Sequence, residues 1–133
     1  MNAPLLRMID AITIPVPSLD EGLAFYRDRL GHRLLWRKDD VGQAGLAMPD
    51  TRTEIVLVTK GIKYEPDWKV ASADKAAEAF RNNGGRVVSE PSDIPIGRLT
   101  VVADPFGNRL VLLDCSKGTY DTDEHGNVTG VSS

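Results

Sequence analysis

The chain has 133 residues, 41% of them hydrophobic and 26% charged, and a net charge of −3 with its lysines and arginines scattered rather than clustered. This is the composition of a globular protein able to bury a core without staples, and it argues against nucleic acid and anionic membrane as partners. No apolar run approaches the roughly 18 residues of a spanning helix, the start MNAPLLRMID lacks the apolar core of a secretion signal, and the single Cys115 forms no internal disulfide, so the expectation is a cytoplasmic single domain over residues 1–133.

In chain order, MIDAITIPV (8–16) alternates Ile12, Ile14 and Val16 with smaller or polar residues, the period of a half-buried strand. SLDEGLAFYRDRLG follows, opening with Ser18 and Glu21 in capping-box spacing and stopping at Gly31. Leu19, Leu23, Tyr26 and Leu30 give it a helical stripe. RLLWR, QAGLAM and TEIVLVT read as three strands, broken at Asp39-Asp40 with Gly42 and at Pro49-Asp50. The same grammar then repeats. Val16 matches Val70, Ser18 matches Ser72, Tyr26 matches Phe80 and Gly31 matches Gly85, all at one constant offset. The second copy runs from the strand EPDWKV through the helix SADKAAEAFRNNGG to the strands RVVSE, RLTVVAD and RLVLLD. The prediction is an α+β fold of two tandem βαβββ units, 8–59 and 64–115, followed by a polar C-terminal tail, 116–133.

One helix covers only one face of each sheet, and alternation sorts the residues between the faces. Ile12, Ile14, Val16, Ile55 and Leu57 belong under the first helix, and Pro66, Trp68 and Val70 under the second. Ala11, Thr13, Pro15, Glu54, Val56 and Val58 then face away, as do Glu65, Asp67 and Lys69. If the mixed sheets curve, these outward faces line a cup, the candidate pocket.

The segment IDAITIPVPSLDEGLAFYRDRLG, the paired units and ADPFGNRLVLLD together resemble the vicinal oxygen chelate superfamily, which includes glyoxalase I, extradiol dioxygenases and the bleomycin-resistance proteins. The resemblance covers residues 8 to about 115. It implies that Asp104-Pro105-Phe106-Gly107-Asn108 is the turn before the final strand. It also implies that metal-dependent relatives hold a divalent ion with four side chains, at positions occupied here by Ala11, Glu54, Glu65 and Val111. Two carboxylates and no histidine make a poor transition-metal set. His32 follows the helix-ending Gly31 and His125 lies in the tail, so neither takes a ligand position. The expectation is no cofactor, with an all-oxygen Mg²⁺ or Mn²⁺ site of Glu54, Glu65 and Asp67 as the alternative.

Two functions follow from that donor set. The first is a small-molecule binding protein whose cup is shaped by Thr13, Trp36, Glu54, Glu65, Asp67 and Val111. The second is a lyase, isomerase or dioxygenase in which Glu54 and Glu65 act catalytically, their repulsion raising the pKa of one of them, or serve as carboxylate metal ligands. Trp36 can equally serve the core, and the carboxylates can equally be solvated or bridged by Lys69. The resemblance further implies a homodimer. The tail sequence DTDEHGNVTG is like the first half of a calcium loop, but places His125 at position five and Ser132 at position twelve, so it reads as a polar turn or short terminal hairpin. Arg98, in the Pro-rich stretch PSDIPIGR, is expected to be a solvated surface residue, and Cys115 a quiet thiol at a strand end.

Overall fold

In the computed structural model, which describes residues 3–133, the predicted α+β fold of two βαβββ units is present. The chain forms two compact bodies, one of Asp10–Pro66 with Tyr120–Gly130, the other of Asp67–Thr119 with the segments up to Ile9 and from Val131.

The first unit is built from β1 (Met8–Pro15), α1 (Leu19–Leu23) with a π-helical continuation (Ala24–Arg29), β2 (Leu34–Lys38), β3 (Gln43–Met48) and β4 (Thr51–Val58). Its strands lie in the order β2-β3-β4-β1, antiparallel except that β1 runs parallel to β4. The predicted faces are found at Ile14, Val16, Ile55 and Leu57, which pack with Leu19 and Leu23 of α1, and at Ala11, Val56 and Val58, which join a separate cluster on the opposite face. Ser18 caps α1, its hydroxyl accepting from the Glu21 N–H at 3.1 Å and donating to the Glu21 carboxylate at 2.9 Å. The helix departs from its predicted stripe at one residue. The Leu30 N–H donates to the Phe25 carbonyl, five residues back, and this wider turn carries Leu30 out of the stripe to 53% exposure. Gly31, at φ +85°, ends the helix as predicted.

The second unit comprises β5 (Glu65–Lys69), α2 (Ala73–Asn82), β6 (Arg86–Ile94), β7 (Gly97–Ala103) and β8 (Arg109–Leu113), in the order β5-β8-β7-β6 with β5 parallel to β8. Trp68 and Val70 pack under α2 with Ala76, Phe80, Val102 and Leu112, as alternation requires. The segment before Ile9 belongs to this unit: Leu5 and Leu6 pack on the same cluster, and the Arg7 N–H donates to the Lys69 carbonyl at 2.9 Å. β6 runs further than predicted, through Pro91 to Ile94, because Ser92, Asp93 and Ile94 pair with Leu99, Arg98 and Gly97. Arg98 is accordingly fastened rather than solvated, with Asp74 at 2.9 Å and Asp93 at 3.1 Å.

The C-terminal segment takes the second of its two predicted forms, a short hairpin, with strands β9 (Thr119–Thr122) and β10 (Val128–Ser132). Its turn repeats that of residues 104–108: Asp104 accepts from the N–H groups of Phe106 and Asn108, and Asp123 from those of His125 and Asn127. In both turns these donors hold the aspartate below the usual carboxylate range, the Asn108 side chain first for Asp104 and the Asn127 N–H first for Asp123. The Asp123 carboxylate is thus a turn staple rather than the third position of a calcium loop.

Candidate functional site

The outward face of the first unit carries a pair that the strand register brings together. Trp36 on β2 lies opposite Gly45 on β3, and Gly45 opposite Val56 on β4, two residues beyond Glu54 and on the same face. The Trp36 indole therefore reaches over β3, and its Nε1–H donates to Glu54 Oε1 at 2.7 Å. Gly45 makes this geometry available, since a Cβ there would sit 2.1 Å from Trp36 Nε1 and 2.6 Å from Glu54 Oε1. On the other side of β4, Ala11 of β1 is the parallel partner of Glu54. An apolar cluster adjoins the pair, formed by Ala11, Trp36, Val56 and Val58 with Tyr120 and Val128 packed against them.

Burial pushes the Glu54 carboxyl above its ordinary pKa; the Trp36 hydrogen bond opposes this, and the nearby charge of Asp10 adds to it. Only Oε1 is engaged, and Oε2, without a hydrogen bond from the described residues, still reaches solvent. The Tyr120 phenol is raised too, by burial first and then by the charges of Asp40 and Glu54. A carboxyl raised on folding binds its proton more tightly in the native state, so its contribution to stability falls as pH rises from the ordinary carboxyl range through the raised native value. Glu54→Gln keeps the acceptor for Trp36 and deletes the charge. It is therefore expected to stabilise the protein at pH 7 to 8, with a gain that vanishes below the ordinary carboxyl pKa; urea melts across this range check it.

The other predicted residues are placed as follows. Thr13 is buried, and its hydroxyl donates to the Lys63 carbonyl at 2.5 Å with the Glu65 carbonyl at 3.1 Å, so it ties down the connection into β5. Glu65 is half-buried at the start of β5. In the second unit, the ladder sets half-buried Asp67 opposite buried Val111. The carboxylate charge that acts on Glu54 is that of Asp10, a residue no motif or alternation singled out. His32 is turned to the backbone, with Nδ1 at 2.9 Å from the Ala47 carbonyl.

These residues do not fit the superfamily's metal. Of the four family positions, Ala11 and Val111 offer no donor, and Oε1 of Glu54 is committed to Trp36. Among the described residues, no three His, Cys, Asp or Glu side chains gather as a metal would require. Sequence reasoning also missed Gly45 and Tyr120. The recurrence of Asp-x-x-Gly-Asn at 104–108 and 123–127 was a signal for the hairpin that carries Tyr120.

The second unit holds a cavity of about 300 Å³ between the segment near Pro4 and the start of α2, bordered by Leu5, Arg7, Ser72 and Lys75; none of the predicted site residues lines it. Its strongest polar feature is structural. Asp114, buried at the end of β8, accepts from the N–H groups of Ala73, Arg98 and Ser116 and from the Ser116 hydroxyl, at 2.7 to 3.2 Å.

Among the described residues, no helix is long and apolar enough to cross a membrane. No curated protein matches the chain. Among solved structures, it is similar to the methylmalonyl-CoA epimerase of Mycobacterium tuberculosis, at 23% identity and a TM-score of 0.68 over 86% of this chain and 91% of that one. It is also similar to a variant of the Streptomyces coelicolor methylmalonyl-CoA epimerase in complex with 2-nitronate-propionyl-CoA, at 24% identity and a TM-score of 0.65 over 84% of this chain and 99% of that one. A hypothetical protein from Bacillus halodurans matches at 17% identity and a TM-score of 0.65 over 87% of this chain and 96% of that one. Likeness at these identities establishes the fold and not the chemistry. The sequence signature of one family matches residues 8–112, and the chain belongs to that family, the Glyoxalase/Bleomycin resistance protein/Dioxygenase superfamily.

Proposed function

We propose that this protein binds a small organic molecule against the outward face of its first unit, without the divalent metal of its metal-dependent relatives. The observation that carries the reading is the Glu54 carboxylate, oriented by Trp36 through one oxygen and open through the other, beside Ala11 and an apolar face. That combination, one fixed polar group on an apolar surface, is what a small-molecule site needs for orientation and contact area. A cytoplasmic homodimer is the expected setting.

A second reading is favoured by the direction of the Glu54 shift. A carboxyl raised by burial is a stronger base than an ordinary carboxylate, the direction that general-base catalysis needs. In this reading Glu54 Oε2 takes a proton from the bound molecule, while Trp36 keeps the carboxylate aimed.

Metal content of the untagged protein is the first measurement, followed by Mn²⁺, Ni²⁺ and Zn²⁺ titrations of the wild type and of a Glu54→Gln, Glu65→Gln double variant. Stoichiometric metal that is lost in the variant overturns the metal-free reading. The second measurement is a thermal-shift screen, beginning with coenzyme A esters because such an ester is bound in the Streptomyces relative. A compound that stabilises the wild type and loses at least tenfold in affinity with Glu54→Gln supports binding at this face. Turnover of such a compound, abolished by Glu54→Gln and rising with pH through one ionisation above the ordinary carboxyl range, identifies the base.

A further inference from the structure

The hairpin β9–β10 begins beyond residue 112, where the family match ends, yet it supplies part of the outward face of the first unit. Tyr120 lies against Trp36 with ring centroids 4.8 Å apart and planes inclined by 47°. Val128 joins it on the same cluster, and beneath them Val56 is 8% and Val58 1% exposed. The flanking residues Asp121, Thr122, Asp123 and Glu124 are exposed, so the hairpin presents a narrow apolar strip to the face and polar groups to water.

The hairpin is fastened at its tip. The Arg37 N–H donates to the Gly126 carbonyl at 2.7 Å, and Arg37 pairs with Asn127. Gly126, at φ +84°, fits against Leu34, where a Cβ would come within 3.0 Å of the Leu34 side chain. Asp123 staples the turn from inside, so the tip is rigid in its own right. The strand bearing Tyr120, by contrast, rests on the face through side chains.

We propose that the C-terminal hairpin is a gate: Tyr120 occupies the face over Trp36, and a ligand gains the surface beside Glu54 by displacing Tyr120 while the tip stays anchored at Arg37. This rests on the outward face being the ligand site. Tyr120 is then a specificity-determining residue, because only a molecule that replaces its contact with the Trp36 ring is admitted. An occupied site also lowers apparent affinity by the fraction of molecules in which it is open.

The test is a titration with Nile red, a neutral apolar dye, of full-length wild type, Tyr120→Ala and Val128→Ala, together with amide hydrogen exchange of the wild type. The expected result is dye binding about tenfold tighter to Tyr120→Ala than to the wild type, with Val128→Ala in between, and faster exchange in β9 than in β4. Equal affinity for the wild type and both variants overturns the gate while leaving the face a binding surface. Dye binding to none of them, despite fast exchange in β9, overturns the face as a ligand site and the gate with it. Should Tyr120→Ala lose its cooperative melt, Val128→Ala and the wild-type exchange decide: exchange in β9 as slow as in β4 overturns the proposal.

Discussion

Asp114→Ala is expected to destabilise the protein by about 3 kcal/mol, the loss of charge-assisted hydrogen bonds to a buried carboxylate. The carboxylate ties three places together: the first N–H of α2 at Ala73, the start of β7 at Arg98, and the chain beyond β8 at Ser116. Removing it strands the buried Ala73 N–H. Gly97 is fitted to the same knot, since a Cβ there would lie 2.2 Å from the Asp114 carbonyl and 2.4 Å from its carboxylate. Burial alone would raise the Asp114 carboxyl, but the hydrogen bonds from Ala73, Ser116 and Arg98 together outweigh it and hold the group below its ordinary value. For a carboxyl depressed on folding, the stabilisation is present above the unfolded pKa and is lost as pH falls through the native one. Thermal melts at neutral pH and through the acid range read both effects. Asp114→Asn should show the neutral-pH loss and a flatter acid limb, and an Asp114→Ala melt indistinguishable from wild type at pH 7 would remove the knot from the account of stability.

Gly45→Ala is expected to destabilise by about 2 kcal/mol, the cost of forcing a methyl group into a filled site. The sign is diagnostic. Alanine in place of a strand glycine ordinarily stabilises by roughly 0.5 to 1 kcal/mol through the unfolded chain. Here the methyl group would fall between Trp36 Nε1 and Glu54 Oε1, so the indole must swing away and the hydrogen bond must break. Urea melts give the energy, and the indole N–H resonance of Trp36 reports the broken bond. Any ligand whose binding depends on Glu54 should lose affinity in the same variant. A variant more stable than wild type, with that resonance unmoved, would show that the pair does not depend on the missing side chain.

Alternation made the two faces of each sheet legible, because a strand's side-chain period is two whatever the strand pairs with. Ile14 and Leu57 went under the helix, and Ala11, Glu54 and Val56 went outward, from that period alone. The Trp36–Glu54 pair was not legible. It depends on which residue of β3 lies between them, and the β2–β3 ladder shifts register between Leu34 and Trp36, which no local pattern announces. Tyr120 was hidden for another reason. A hairpin that meets the face through Tyr120 and Val128 and is tied to Arg37 at its tip needs so few apolar residues that nothing in its sequence singles out Tyr120. Leu30 shows the limit of a helical stripe, since the π-helical stretch Ala24–Arg29 breaks the spacing on which the stripe relies.

The division of the chain also decides how it can be dissected. The residues just before Asp10 belong with Asp67–Thr119, while Tyr120–Gly130 belong with Asp10–Pro66. Each body thus takes in a segment that lies beyond the other in sequence. Neither can be expressed as one contiguous fragment, and each is completed only when segments far apart in the chain have met, the kind of contact that slows folding.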